Sequence, residues 1–262
     1  MTDSKIHPQS FVHPEAKLGK DVEVGPFATV EADVEIGDGT WIGPNATIMS
    51  GARIGKKCRI FPGAVISAIP QDLKFDNEYT TTEIGDCTTI RECCTINRGT
   101  KDRNTTKVGD NCLLMAYTHV AHDALIGNNC IIANSANIAG HVVIDDFVVI
   151  EGVVAIQQFV HIGAYSFLAG GSLVRKNVPP FVKAAREPLS FAGVNTIGMR
   201  RRGFDADTIQ HVEDIYRMIY VHSSNMTQAL HAADAEIPNS EHKKAILDFI
   251  RSSDKGIIRG PL

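Results

Sequence analysis

A chain of 262 residues that is 44% apolar is long enough to bury an extended core, and a formal net charge of -4 gives no global field for nucleic acid or anionic lipid. The first ten residues, with Asp3, Lys5 and Pro8, lack the apolar stretch of a secretory leader, and no run of about 18 apolar residues follows. The expectation is a cytoplasmic protein with reduced thiols, no nucleic-acid partner and no stable membrane insertion.

From Ile6 an aliphatic residue returns at every sixth position: through Val12, Leu18 and Val24 to Ile66, again at Ile84, Ile90 and Ile96, and again from Val108 to Val174. Four places after it stands a small residue, such as Ala16, Ala28, Ala46 or Ala136, and Gly often follows it directly, as at Gly19, Gly37 and Gly127. Each hexad reads as one short strand and one corner. Three hexads then close a triangular coil whose aliphatic side chains point inward and stack on those of the next coil. The 26 matching hexads make between eight and nine coils, a parallel β-helix about 40 Å long at about 4.8 Å per layer. Cys58, Cys94, Cys112 and Cys130 share the small-residue position and are expected as core fillers.

Two insertions interrupt the repeat, at 67–83, which contains Gln71, Asp72, Leu73 and Lys74, and at 97–107, which is polar and basic. Loops projecting from a solenoid are where a site is expected. The β-helix is assigned to residues 1–186 and a C-terminal helical domain to 187–262. Helical spacing predicts three helices: one over 205–222 with Ile209, Val212, Ile215 and Ile219 on one face, one over 226–237, and one after Asn239 and Ser240 through Ile250.

Most of the ten histidines have plain structural places. His7 and His13 fall at corners, and His211, His222, His231 and His242 on polar faces of the tail helices. His119, His122, Asp123 and His141, followed by Gln157, Gln158 and His161, form a different kind of group. One coil above His122 is Gly140, so His141 lies one coil up and one residue along, within side-chain reach. An imidazole beside a carboxylate holds one tautomer, and its free nitrogen can take a proton near neutral pH. Three histidines also admit a zinc hydratase on the same prism, since catalytic zinc wants three protein ligands and an open position. That reading gives no role to Asp123 or to the arginines at 200–202, so no metal ligand is expected. No GxSxG elbow is present, which favours direct transfer over a covalent intermediate. A non-catalytic scaffold is the third reading, and it leaves His122, Asp123 and both polar loops unused.

The segments His119-Val-Ala-His122-Asp123, Ala139-Gly140-His141, Gln158-Phe159, Gln71-Asp72-Leu73-Lys74, Arg98-Gly99-Thr100, and Asn195 with Arg201-Arg202-Gly203-Phe204 together resemble the acyl-carrier-protein-dependent UDP-N-acetylglucosamine O-acyltransferases of lipid A biosynthesis. The resemblance runs essentially end to end. It implies a left-handed parallel β-helix, a homotrimer with sites in the clefts between prisms, and transfer of an (R)-3-hydroxyacyl group from acyl carrier protein to the 3-hydroxyl of UDP-N-acetylglucosamine. No cofactor is implied beyond the phosphopantetheine of the carrier. His122 matches the general base, Asp123 its orienting partner, and Gly140 the residue whose N–H meets the oxyanion. Asp72, Lys74, His119, His141, Gln158, Asn195 and Arg201 match substrate-binding positions, and Gly170 the floor of the acyl groove. Asn97 and Gln157 stand where the family pattern has His, and Ile197 where it has an acid. Another acyltransferase of the superfamily, with a different sugar-nucleotide acceptor, is the alternative.

Overall fold

The aliphatic residue of each hexad closes a two-residue strand, as in Lys5–Ile6, Phe11–Val12 and Lys17–Leu18, and the three strands of one turn enter three different sheets. These sheets of 11, 9 and 8 strands form the walls of a triangular prism in a computed structural model that describes residues 5–221 and 225–260. Pairing along the prism is parallel and keeps like against like: Ile42 opposite Ile60, Ile132 opposite Ile150, Ile156 opposite Val174. Stacked inside, Ile48, Ile66, Ile96, Ile138 and their neighbours have no solvent exposure. Each such side chain contributes about 1.5–3 kcal/mol relative to staying in water. The four repeat-register cysteines are buried among them as free thiols. Burial pushes the Cys58 and Cys94 thiols up to about 11, so they are protonated fillers at neutral pH.

The insertions are read directly from the register. Partner spacing is 18 residues at Ile42 and Ile60, 30 at Ile54 and Ile84, and 24 at Ile84 and Val108. The first insertion therefore adds 12 residues to a coil and the second adds six. They hold one another: Lys101 N donates to Glu78 Oε1 at 2.9 Å, Asn97 Nδ2 to the Ile69 carbonyl at 3.3 Å, and the Arg98 guanidinium lies 5.5 Å from the centre of the Phe75 ring.

Strands Val182–Ala185 and Ser190–Val194 end the first sheet with an antiparallel pair, so the sheet continues past residue 186. Four helices follow among the described residues: α1 (Thr196–Arg201), α2 (Ala206–Tyr220), α3 (Met226–Glu236) and α4 (Glu241–Arg251). The six-residue α1 is absent from the sequence-based expectation, being too short to show a period. Asp205 and Ser240 cap α2 and α4 with their side-chain oxygens. Two buried contacts tie the tail down. Tyr216 Oη donates to the Pro180 carbonyl, and the Lys243 ammonium donates to the Asp234 and Ile237 carbonyls at 2.6 and 2.8 Å, closing the end of α3. His222 lies outside the described residues.

Candidate active site

Strand His119–Val120 runs into a corner whose next residues are His122 and Asp123, and Asp123 sits at the apex with a φ of 59°. Asp tolerates this left-handed conformation better than most residues. His141 (φ 61°) and Phe159 (φ 64°) occupy the same apex one and two coils further along, so their side chains stack on one edge of the prism. The His141 ring lies 4.5 Å from the Phe159 ring and nearly parallel to it, and edge-on to His122 at 5.1 Å. The coil arithmetic that placed His141 beside His122 is thus met in the structure.

His122 is buried. Its Nδ1 lies 2.8 Å from Asp123 Oδ2, and its Nε2 lies 3.9 Å from Asp72 Oδ2, brought in by the first insertion. The imidazole lies directly against Gly140: a Cβ there would be 2.7 Å from both His122 Cε1 and Nε2. Only glycine permits that approach. The Gly140 N–H donates to no group among the described residues. Asp123 is fully enclosed. Burial alone would raise its carboxyl, but hydrogen bonds from His122, Thr100 and Arg103 outweigh that and hold it below the usual carboxylate range. With Asp123 ionised, the shared hydrogen belongs on His122 Nδ1 and leaves Nε2 as an acceptor.

His122, Asp123 and His141 place potential ligand atoms within 4.8 Å of one another. The carboxylate does not suit a metal, because its four lone-pair positions already face His122 Nδ1, Thr100 Oγ1, Thr100 N and Arg103 N. His141 Nδ1 is 3.1 Å from Asp102 Oδ2 but lacks the alignment of a hydrogen bond. His119 Nδ1 meets Thr95 Oγ1 at 2.7 Å, and burial lowers its pKa, so the ring is neutral at pH 7. Gln157 and Gln158 are exposed at the same edge, and Lys74 is exposed beside Asp72, to whose Oδ1 its backbone N–H donates at 2.9 Å. Asn97 is buried with its Oδ1 unpartnered. His161 does not join the group: its Nε2 pairs with Asp145 Oδ1 at 2.8 Å and its ring packs on Phe249 of α4.

Asn195 and Arg201 lie elsewhere, at the corner six residues on. There Phe147, Tyr165 and Phe181 stack along the prism at 4.9 and 5.3 Å, and the Arg202 guanidinium lies 4.9 Å from the centre of the Phe147 ring. Asn195 accepts from Gly198 N and donates to the Tyr165 carbonyl, keeping one N–H and one lone pair free. Phe147, Tyr165, Asn195, Arg201 and Arg202 line a cavity of about 660 Å³. Sequence spacing gives Arg202 no role of its own and does not reveal the aromatic stack, although Phe147 and Tyr165 are one coil apart in register. Gly170 stands at an exposed turn, its N–H donating to Glu151 Oε2 at 2.9 Å. A larger groove of about 970 Å³ follows the face carrying Arg53, Lys107, Leu125 and Val143; Phe147 and Tyr165 reach it from the neighbouring corner, but none of the sequence-predicted site residues lines it.

Residues 33–68 and 105–140 match the bacterial transferase hexapeptide (six repeats) family, and residues 177–258 match domain 2 of UDP-N-acetylglucosamine O-acyltransferase. The acyl-(acyl carrier protein)–UDP-N-acetylglucosamine O-acyltransferase of Paracidovorax citrulli is 52% identical over 261 residues, covering 98% of this chain and all of that protein. The chain belongs to this acyltransferase family. The Halorhodospira halophila member is 42% identical over 98% of this chain. Among solved structures, the Bacteroides fragilis UDP-N-acetylglucosamine acyltransferase superposes with a TM-score of 0.95 at 49% identity, covering 97% of this chain and 99% of that one. The prism is therefore the left-handed parallel β-helix of this family, and the chain is an acyltransferase. No helix among the described residues is long and apolar enough to cross a membrane.

Proposed function

We propose that the enzyme moves an (R)-3-hydroxyacyl chain from the phosphopantetheine thioester of acyl carrier protein to the 3-hydroxyl of UDP-N-acetylglucosamine, the first step of lipid A biosynthesis, in the cytoplasm. The observation that carries this is the His122–Asp123 pair closed over Gly140. His122 Nε2 and Asp72 Oδ2 are 3.9 Å apart, too far to bond each other, so Nε2 can accept from a substrate hydroxyl at about 2.8 Å. In the proposed step that hydroxyl gives its proton to Nε2 while its oxygen bonds to the thioester carbon. The carbonyl electrons move onto oxygen, beside the Gly140 N–H. When the C–S bond breaks, His122 returns the proton to the departing thiolate. Asp123 holds the imidazole in the required tautomer and offsets its transient charge. No serine or cysteine is a hydrogen-bond partner of His122 among the described residues, which supports direct transfer without an acyl-enzyme. No resident cofactor or metal enters this scheme.

His119, His141, Gln158 and Lys74 line the acyl-donor side, and Asn195 and Arg201 take the uridine ribose and diphosphate, for which a guanidinium fork is suited. Those two groups occupy different corners of one prism. A homotrimer resolves the separation, since a ring of like contacts sets the catalytic corner of one chain against the basic corner of the next. The tail, from 187 onward, then acts as the nucleotide and carrier-protein domain. Assaying the purified enzyme with a panel of hydroxyacyl-carrier thioesters and UDP-sugars tests the reading. Transfer to UDP-N-acetylglucosamine alone among common UDP-sugars is expected, and an absence of transfer to it overturns the proposal.

A further inference from the structure

The 97–107 insertion commits much of its polar surface to a single side chain. Thr100 N donates to Asp123 Oδ1 at 3.0 Å and Thr100 Oγ1 to Asp123 Oδ2 at 2.7 Å; Arg103 N reaches Oδ1 at 3.2 Å. The backbone of Asp123 is held as well: Arg103 Nη1 donates to its carbonyl at 2.8 Å, and its own N–H donates to Thr106 Oγ1 at 2.8 Å. Thr100 is only 6% exposed and Asp123 is fully covered, so water does not replace these donors. The loop is itself braced. Gly99 N donates to the Thr81 carbonyl at 3.1 Å and Asn104 N to the Thr100 carbonyl at 2.7 Å, and a Cβ on residue 99 would be 2.3 Å from Thr105 N, so the fold-back needs glycine.

We propose that Thr100 is a positioning residue for acyl transfer: its hydroxyl and amide, fixed by the second insertion, lock the Asp123 carboxylate in the plane that receives His122 Nδ1–H. This rests on the reading of His122 as the base. Asp123 Oδ2 is shared between Thr100 Oγ1 and His122 Nδ1, so the hydroxyl does two things. It stops rotation of the carboxylate, which would carry the imidazole off the hydroxyl it must deprotonate. It also draws off part of the charge on Oδ2. Without it, the carboxylate stabilises the imidazolium more strongly, and the base is lost to protonation at a higher pH than in the wild type.

The test is steady-state transfer from hydroxyacyl-carrier protein to UDP-N-acetylglucosamine, measured across pH for the full-length wild type, Thr100→Val and Thr100→Ser, with thermal unfolding as the control for folding. Thr100→Val is expected to lower kcat about tenfold with both KM values within about twofold of wild type, and to move the acid limb of the kcat/KM profile to higher pH. Thr100→Ser, which keeps the hydroxyl, is expected to restore kcat and the limb. If the valine variant does not fold, Thr100→Ala supplies the same readout. Wild-type kcat with an unmoved limb in a folded Val or Ala variant overturns the proposal, and so does a serine variant as impaired as the valine one. Full turnover by a folded His122→Ala enzyme would instead overturn the underlying base assignment, whatever Thr100 does.

Discussion

A methyl group on residue 140 would stand 2.7 Å from His122 Cε1 and Nε2, while the backbone there is not left-handed and accepts an L side chain. Gly140→Ala should therefore leave the prism folded and push the imidazole away from its partners. At least a tenfold fall in kcat is expected, about the cost of misplacing a catalytic group, with little change in thermal unfolding. Wild-type turnover would show that the ring tolerates displacement. The pairing of His122 with Gly140 and His141 was legible in the sequence because coil length converts residue number into position. Sequence spacing groups His161 with this cluster, and the structure removes it: it lies in the 8-stranded sheet opposite Val143, whereas His119 lies in the 9-stranded sheet. The roles of Thr100 and Arg103 were not legible: they sit in an insertion whose extra six residues break the period, and their contacts with Asp123 include backbone atoms that no residue type reveals.

At the scale of elements, the hexad strands could be read almost residue by residue because beyond the first coil each buries one aliphatic side chain and a slip of one would expose it. The insertions were visible as gaps, but that the first delivers Asp72 to His122 depends on its bracing by the second. In the tail, α2, α3 and α4 are legible from spacing, and α4 also from its cap; α1 is not, because six residues cannot show a helical period. Gly170 belongs to this scale, since the acyl chain is proposed to run along a prism wall past it. A Cβ on residue 170 meets nothing closer than the Gly152 carbonyl at 3.4 Å and Glu151 Oε2 at 3.6 Å, so Gly170→Met folds and fills only external space. A donor chain shorter by four carbons forfeits about 3 kcal/mol, at about 0.8 kcal/mol per buried methylene. The wild type should thus prefer long chains and the Met variant shorter ones, because steric overlap costs more than the lost contacts. Relative rates across a thioester length series check this, and an unchanged order of preference removes Gly170 from the groove.

For the whole molecule, the separation of His122 from Arg201 at different corners is the ground for proposing that two chains of a homotrimer share the site. Co-assembling His122→Ala and Arg201→Ala chains in equal amounts should then rebuild a complete site at about one junction in four, if trimers form at random. Below saturation the mixture should recover about a quarter of wild-type activity, well above either parent. Activity no higher than the parents' average would place both residues in a site within one chain. The claim on which the rest depends is that His122 takes the proton, and turnover of His122→Ala tests it most directly. With thermal unfolding and oligomeric state matching the wild type, the account predicts a fall in kcat of about 10² to 10⁴. A folded variant that transfers the acyl chain at the wild-type rate would contradict it.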